Sequence, residues 1–386
     1  MHGRNNGRVA STLGYQLVVK RNSFAQNNFD LLRLFAALQV VVFHTATRFD
    51  LSLGPWETIV NAFPGVPIFF VISGFLISAS FERSKSLSRY ARNRLLRILP
   101  ALWVCVGLTA LTALAFDYDL FNLKGLIWFL AQMVGLIYTP GALASFGFGS
   151  YNGALWTIPI ELQFYAALPV LYWLLPIGGR RTANMAFVGL IFLAIALAYQ
   201  FSTASMDMSA GEPIWAKLMR YSFVPHFYLF MVGVCLQRIR AEEASLIRGK
   251  GLYWLAAYLL AVYTLPDSVL THVFKLIMLA VVSISLAYTA GGVPARILKG
   301  NDISYGVYIY HGLVHNFLFE TGMHGTWAEG ALAVALTINI AIVSWLTIER
   351  PFIRRKTATI RPGSEGQQAD LKAAGLRTAT SSGDSD

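Results

Sequence analysis

The stretch that decides the fold runs from Asn28 to Arg48 and reads NFDLLRLFAALQVVVFHTATR. Its interior is apolar apart from Gln39, and about 20 such residues form a helix long enough to cross the hydrocarbon core of a bilayer. At about 100° per residue, Asp30, Arg33 and His44 lie within about 60° of one another around that helix, and Arg33 is about 16 Å from His44 along the axis. The stretch is therefore predicted to be a membrane-spanning helix with a carboxyl, a guanidinium and an imidazole on one face.

The rest of the chain has the same apolar character. Of its 386 residues, 55% are hydrophobic and only 13% are charged, and the mean hydropathy of +0.53 is far above that of an average soluble domain. Eleven apolar runs are visible, at about 30–48, 63–81, 95–116, 121–138, 153–176, 183–200, 221–237, 251–265, 272–290, 303–320 and 328–349. The sequence therefore predicts an all-α, polytopic integral membrane protein.

The positive residues predict which of these runs cross. Basic residues precede the first run and follow the second, which places both segments on the cytoplasmic side. The later basic groups fall on that side only if 121–138 is a re-entrant or interfacial segment. We therefore predict about ten crossings, with both termini cytoplasmic. The net charge is +11, and the positive residues cluster in the short segments between apolar runs. This distribution argues against nucleic-acid binding.

The chain divides into three parts by composition. Residues 1–27 and 354–386 are polar and without sustained periodicity, which predicts two disordered cytoplasmic tails around a membrane domain at 28–353. The first apolar run is too long for a cleaved signal peptide and is expected to stay as an anchor. Cys105 and Cys235 both lie inside apolar runs, so the sequence predicts neither a disulfide framework nor a metal site.

Several polar side chains inside the runs are candidates for function, because ionisable groups in a span are costly and usually face a partner or a cavity. His44 and Glu161 are expected at similar depth in the outer half, where a carboxylate could orient an imidazole base. His311 and Tyr305 lie on a tyrosine-rich run and have a structural alternative, the packing of a polar core.

Two further features each have a structural explanation as well as a functional one. Ser73-Gly74 lies in the second run, where Gly permits close helix packing and Ser supplies a hydroxyl. Arg92, Arg94 and Arg97 are spaced to bind phosphate in a bidentate manner, but positive charge there also serves as a topology signal.

Five of these segments together resemble the integral membrane acyltransferase 3 family, bacterial O-acyltransferases of glycans and some small molecules. The matching segments, in the family's order, are FDLLRLFAALQVVVFH, GVPIFFVISGFLIS, RNRLLRILP, LWTIPIELQFY and ISYGVYIYHGLV. The match covers about residues 28–353. The chain departs from the family's pattern at Leu31 and Leu34, where the family commonly has Gly, and at Leu162, where the family often has a second acid. The esterase-like domain that some members carry is absent from the sequence, which suggests acylation without a fused partner.

The resemblance implies a membrane enzyme that takes an acyl group, usually acetyl, from acyl-coenzyme A and passes it to a carbohydrate or glycolipid hydroxyl. It implies that Arg94 and Arg97 hold the donor's phosphates. His44 would be the general base or a covalent acyl carrier, oriented by Glu161, while Arg33 and Asp30 line the donor's path.

Two other classes remain open at this point. A proton-coupled transporter or flippase would also need His44, Glu161 and His311 inside the membrane, although it explains neither the arginine cluster as a ligand site nor the five ordered segments. The second class is a degenerate family member that binds a lipid-linked glycan without turnover. The presence of Arg33, His44 and the pair Arg94 and Arg97 argues against this class.

Overall fold

The structure is a computed structural model and describes residues 27–84, 86–175, 180–204, 206, 211–290, 297–298 and 300–358. The described residues are helical or irregular and include no strand. The predicted tails at 1–27 and 354–386 lie almost entirely outside the described residues. The all-α prediction is confirmed.

The helices follow the predicted apolar runs. In the first half of the chain they are α1 (Phe29–Arg48), α2 (Trp56–Ala62), α3 (Gly65–Arg83), α4 (Leu87–Ala115), α5 (Leu123–Met133), α6 (Thr157–Leu174) and α7 (Arg181–Ala204). In the second half they are α8 (Ile214–Arg220), α9 (Phe227–Arg238), α10 (Gly251–Thr264), α11 (Val269–Ala287), α12 (Ser304–Glu320), α13 (Trp327–Ser344) and α14 (Arg350–Ala358). Short 3₁₀ turns cover Gly141–Leu143, Gly153–Trp156, Val224–His226 and Ala241–Glu243, and a π-helical turn, Trp345–Glu349, joins α13 to α14.

Seven helical stretches of the described residues are long and apolar enough to cross a membrane, and an eighth is the pair Ile214–Arg220 and Val224–Arg238, bent by 51°. Two more predicted crossings correspond to α10, of 14 residues, and α12, of 17 residues. Helix α5 has 11 residues and is about 16 Å long, too short to span about 30 Å of hydrocarbon. This agrees with the prediction that 121–138 does not cross; the total of about ten crossings stays a prediction.

Helix α12 lies at the centre of the fold and is buried along almost its whole length. The segment before α6 covers it: the Asn152 side-chain amide donates to the Ile309 carbonyl at 2.8 Å, and the Asn316 amide donates to the Ser150 and Tyr151 carbonyls at 2.6 and 2.9 Å. Irregular backbone inside a membrane domain needs such partners because lipid offers none. The polar residues of α12 therefore face protein and not lipid.

Helices α3 and α9 pack with their backbones in contact, and glycine makes this possible. A Cβ on Gly74 would lie 2.0 Å from the Phe230 carbonyl oxygen, and one on Gly233 would lie 2.1 Å from that of Val71. Small residues let membrane helices approach this closely. The structure thus places Gly74 in a helix–helix contact. This agrees with the structural explanation of the Ser73-Gly74 pair, close helix packing.

Gly74→Ala is expected to destabilise the fold by about 2 kcal/mol or more, because a backbone contact cannot yield as a side chain does. The readout is the thermal unfolding midpoint in detergent. Gly107→Ala is the matched control, since a Cβ at Gly107 in α4 meets nothing within 4 Å. A Gly74→Ala midpoint equal to that of Gly107→Ala would contradict the close α3–α9 contact.

Candidate active site

Two histidines from distant parts of the chain form a hydrogen-bonded pair. His44, near the end of α1, has Nδ1 2.9 Å from Nε2 of His311 on α12. His311 is fully buried, and its Nδ1 lies 2.6 Å from the carbonyl oxygen of Tyr308, one turn earlier on the same helix. The three groups form a chain that ends at His44.

The chemistry of this chain fixes the tautomers of the neutral rings. A carbonyl oxygen only accepts, so Nδ1 of His311 carries the hydrogen and its Nε2 is a bare acceptor. Nδ1 of His44 must then be the donor to His311. The remaining nitrogen of His44, Nε2, is left with a free lone pair, which is the arrangement a general base requires.

An ion cluster lies toward the other end of α1. Asp302, just before α12, is 3.0 Å from Arg33 Nη1 and also pairs with Nη2 of Arg97 from α4. Its second oxygen accepts from the Ser304 hydroxyl at 2.5 Å. Burial favours the protonated carboxyl, but the two guanidinium groups outweigh it and hold the pKa of Asp302 below its ordinary value. Asp302 therefore joins α1, α4 and α12 through charge.

Two other carboxyl groups lie near this ion cluster. Asp30, one turn before Arg33, is within electrostatic range of Asp302 and both arginines. Glu349, in the π-helical turn, is almost fully buried. One of its oxygens accepts from the Ser344 hydroxyl at 3.3 Å, and the other has no hydrogen-bond partner among the described residues. The cluster thus holds more acids than the sequence suggested, and Asp30 lies at its edge.

A narrow cavity of about 50 Å³ extends from Arg33 and Arg97 of the ion cluster to Tyr308, one turn before His311 on α12. Its lining includes Arg33, Val66, Phe69, Phe70, Ser73, Arg97, Ile98, Thr157, Ile158, Glu161, Ser304, Tyr305 and Tyr308. A single water needs about 10–15 Å³ by the same measure, so the cavity admits a thin chain of atoms and no nucleotide. Tyr308 lines this cavity and also holds His311 through its carbonyl oxygen, which places the histidine pair next to it.

The predicted contact between Glu161 and His44 is absent from the described part of the chain. Glu161 accepts a hydrogen bond from the Tyr165 hydroxyl on its own helix and lines the cavity, while His44 pairs with His311. The reason is where α6 begins. It starts only at Thr157, after irregular chain that covers α12, so α12 and not α6 reaches His44.

The other predicted site residues are divided between the cavity and its surroundings. Ser73 and Tyr305 line it, and the Tyr305 hydroxyl donates to the Ile98 carbonyl at 3.0 Å. Arg94 is half-buried and donates to the Ser80 hydroxyl at 3.2 Å, with its Nε buried and unpaired. Arg92 is exposed. Arg97, expected beside Arg94 as a phosphate ligand, is instead engaged with Asp302.

Sequence reasoning missed Asp302 and Thr157 as members of the site. Asp302 lies between the apolar runs at 272–290 and 303–320 as an ordinary loop acid, and only its place two residues before a helix start hints at a fixed position. Thr157 bonds the Tyr308 hydroxyl at 2.8 Å. Within the described residues, no group of three or more His, Cys, Asp or Glu is arranged to hold a metal ion.

The amino-acid sequence of the chain matches a known protein family. The model of an acyltransferase domain family, acyltransferase 3, matches residues 26–347. The chain is 30% identical to Nodulation protein 10 of Rhizobium leguminosarum bv. viciae, over 88% of this chain and 97% of that protein. It is 27% identical to an O-acetyl transferase of Shigella phage Sf6, over 86% and 97%.

A third relative is Exopolysaccharide production protein ExoZ of Rhizobium meliloti (strain 1021), 26% identical over 79% of this chain and 94% of that protein. No solved structure matches. The family match covers most of the chain and includes α1, the cavity and the histidine pair. The chain therefore belongs to the acyltransferase 3 family of integral membrane acyltransferases.

Proposed function

We propose that this acyltransferase moves an acyl group, with acetyl the expected one, from acyl-coenzyme A to a hydroxyl of a carbohydrate or glycolipid. The observation that carries the proposal is the Tyr308–His311–His44 chain, which leaves His44 Nε2 as an unprotonated base and begins at Tyr308, a residue that lines the narrow cavity. A neutral imidazole held in one tautomer is suited to take a proton from a hydroxyl.

The donor is proposed to reach His44 through the cavity from the ion-cluster end. That end is cytoplasmic on the predicted topology, where acyl-coenzyme A is available. Because the cavity admits only a thin chain, the acyl-carrying arm enters it and the nucleotide stays outside, with its phosphates near Arg94 and the exposed Arg92. Arg33, Asp30 and Ser73 would line the path of the arm, and Gly74 supports it through helix packing.

The reaction balances with the groups present. The acceptor oxygen attacks the thioester carbonyl carbon as its proton passes to His44 Nε2, and the carbonyl π electrons move to oxygen. The adduct then collapses, the carbon–sulfur bond breaks, and coenzyme A leaves as a thiol with the proton returned from His44. In a variant, His44 Nε2 attacks the thioester carbon, the carbon–sulfur bond breaks, and coenzyme A leaves as a thiolate that takes a proton from water. The acceptor hydroxyl then takes the acyl group from Nε2 and releases its proton to water, which restores neutral His44. In both, His311 is a positioning residue, and Glu161 with Tyr165 lines the donor's path.

The acceptor class rests on the printed names of the relatives. One is an O-acetyl transferase and another an exopolysaccharide production protein, so a glycan hydroxyl is the proposed acceptor. The partly exposed His44 end of α1 would face it, on the side away from the cytoplasm. The protein is proposed to lie in the inner membrane with both ends of the described chain cytoplasmic.

The direct test is acetyl transfer by the purified protein in nanodiscs. Radiolabelled acetyl-coenzyme A is supplied with chitotetraose, cellotetraose, or envelope glycans extracted from the cells that make the protein. Alkali-labile label on a glycan is the expected product. Transfer of label to none of these acceptors, by protein that is folded and binds coenzyme A, would overturn the proposal.

Arg94→Ala is expected to raise the dissociation constant for coenzyme A about tenfold, because a charge-assisted contact to phosphate contributes about 1.5–3 kcal/mol. Isothermal titration in detergent measures it. Arg220→Ala is the matched control, since Arg220 pairs with Glu212 and is not among the residues that line the cavity. Unchanged coenzyme A affinity in the Arg94 variant would mean that the arginine cluster serves as a topology signal and not as a donor site.

A further inference from the structure

Two buried polar atoms near His44 have no hydrogen-bond partner in the described part of the chain: Nη1 of Arg48 and Nδ1 of His315. Arg48 lies one helical turn beyond His44 on α1, and His315 lies one turn beyond His311 on α12. The two helices thus carry a second pair of side chains beside the histidine pair. Neither has a role in the proposed reaction.

The tautomer of His315 follows from its neighbour. The Thr45 hydroxyl has one hydrogen and gives it to the Val41 carbonyl at 2.8 Å. The 2.8 Å contact between that hydroxyl and Nε2 of His315 is therefore donated by the imidazole. Nδ1 is left as a bare acceptor on a ring that is fully buried. A buried acceptor without a partner costs about 1–3 kcal/mol, so a ligand that donates a hydrogen there would recover it.

Arg48 is held in place without a counter-ion. Its guanidinium carbon lies 5.6 Å from the centre of the Phe148 ring, and a Cβ on Gly153 would lie 2.7 Å from Nη2, so a larger residue at position 153 would displace the end of this side chain. Among the described residues no carboxylate is within 4.0 Å of Arg48, whereas Arg33 and Arg97 share Asp302. An unpaired, partly buried cation is costly unless a substrate oxygen meets it.

The surroundings of these two atoms suit a sugar. The His315 ring is 5.5 Å from that of Phe49, which lies 6.0 Å from Phe148. Phe148 and His324 are partly exposed and both contact Phe319, at 4.5 and 4.4 Å between ring centres. Aromatic walls with a few convergent polar atoms are typical of small-ligand sites.

We propose that Arg48 and His315 form the acceptor subsite, binding a non-reacting hydroxyl of the sugar ring. That hydroxyl accepts from Arg48 Nη1 and donates to His315 Nδ1, which places a neighbouring hydroxyl at Nε2 of His44. A carboxylate satisfies Arg48 but has no hydrogen for His315, so a neutral polyol fits both atoms. The inference rests on the proposed function and adds to it where the acceptor binds.

Two substitutions separate this role from a structural one. His315→Gln retains an amide N–H that can donate to Thr45 but removes the Nδ1 acceptor. Arg48→Gln removes the charge and keeps most of the volume, and Arg48→Lys keeps the charge. Arg220→Gln is the matched control, because Arg220 has a carboxylate partner, Glu212, whereas Arg48 has none among the described residues.

Kinetics with labelled acetyl-coenzyme A and whichever of chitotetraose and cellotetraose the wild type acylates provide the test. The acceptor KM is expected to rise about tenfold in each Gln variant, since one hydrogen bond contributes about 1.5 kcal/mol, with Arg48→Lys between Arg48→Gln and the wild type. The donor KM and acceptor-free hydrolysis of acetyl-coenzyme A should stay within about twofold.

An unchanged acceptor KM in both Gln variants overturns the subsite. So does a loss shared equally by transfer, hydrolysis and donor binding, because the two side chains would then support the fold or the catalytic centre as a whole. A wild type that acylates neither oligosaccharide nor extracted envelope glycans contradicts the proposed function itself, a result distinct from both.

Discussion

His44→Ala is expected to lower the rate of acetyl transfer by roughly 10³-fold while the protein stays folded. The substitution removes the only ring nitrogen of the histidine pair with a free lone pair, and a positioned general base contributes about 10²–10⁴ in rate. Donor affinity should change little, because the arginines and the cavity lining remain. The measurement is kcat for labelled acetyl transfer, with the unfolding midpoint recorded for each variant.

The matched control is His272→Ala, which removes an exposed imidazole on α11. Its transfer rate should equal that of the wild type. Transfer by His44→Ala within tenfold of the wild type would remove His44 from the chemistry. Ping-pong kinetics in the wild type would assign it the role of acyl carrier, whereas a sequential pattern would assign it the role of base.

His311 allows a finer distinction, because it acts through His44. His311→Ala should lower kcat by a smaller factor than His44→Ala, since the base is present but free to rotate. His311→Gln offers a side-chain oxygen that can accept from His44 Nδ1 and should recover part of the rate. Equal losses in the two His311 variants would mean that the imidazole matters for packing and not for the tautomer of His44.

The sequence predicted local features well and partners poorly. The spacing of Asp30, Arg33 and His44 on one apolar run is enough to predict α1 and its polar face, because helix periodicity is local. Charge distribution likewise separated the short α5 from the longer runs.

The partners of these residues could not be derived in that way. His44 and His311 are 267 positions apart, and Arg97 and Asp302 are 205 apart. Spacing along one helix carries no information about which helix packs beside it. Glu161 has Tyr165 as its hydrogen-bond partner and not His44, since the chain before Thr157 is irregular and α12 occupies the place assigned to α6.

Asp302→Asn is expected to destabilise the protein by about 3–5 kcal/mol, the usual cost of breaking a buried ion pair from one side. The amide has nearly the same shape, so packing is retained, but Arg33 and Arg97 then share no carboxylate. Asp302 joins three helices that line the cavity, and donor affinity should fall along with the unfolding midpoint. Thermal unfolding in detergent and coenzyme A titration measure the two effects.

The effect of pH distinguishes this charge effect from a loss of shape. The two arginines hold the pKa of Asp302 below its ordinary value, so its contribution to stability is complete above the unfolded pKa of about 3.9. It is lost only as the pH falls toward the lower folded-state pKa. The difference in stability between wild type and Asp302→Asn should therefore be constant from about pH 8 to pH 5. A difference that shrinks within that window would show that Asp302 is not held ionised by the arginines.

Asp267→Asn is the control for the loss of a carboxylate as such. Asp267 pairs with Lys275 at 3.2 Å but is fully exposed, and exposed pairs contribute about 0–1 kcal/mol. The thermal unfolding midpoint of Asp267→Asn should match that of the wild type. If Asp302→Asn behaved like Asp267→Asn, Arg33 and Arg97 would not depend on Asp302, and Arg97 would be free to bind the donor's phosphates together with Arg94, as the family resemblance implies.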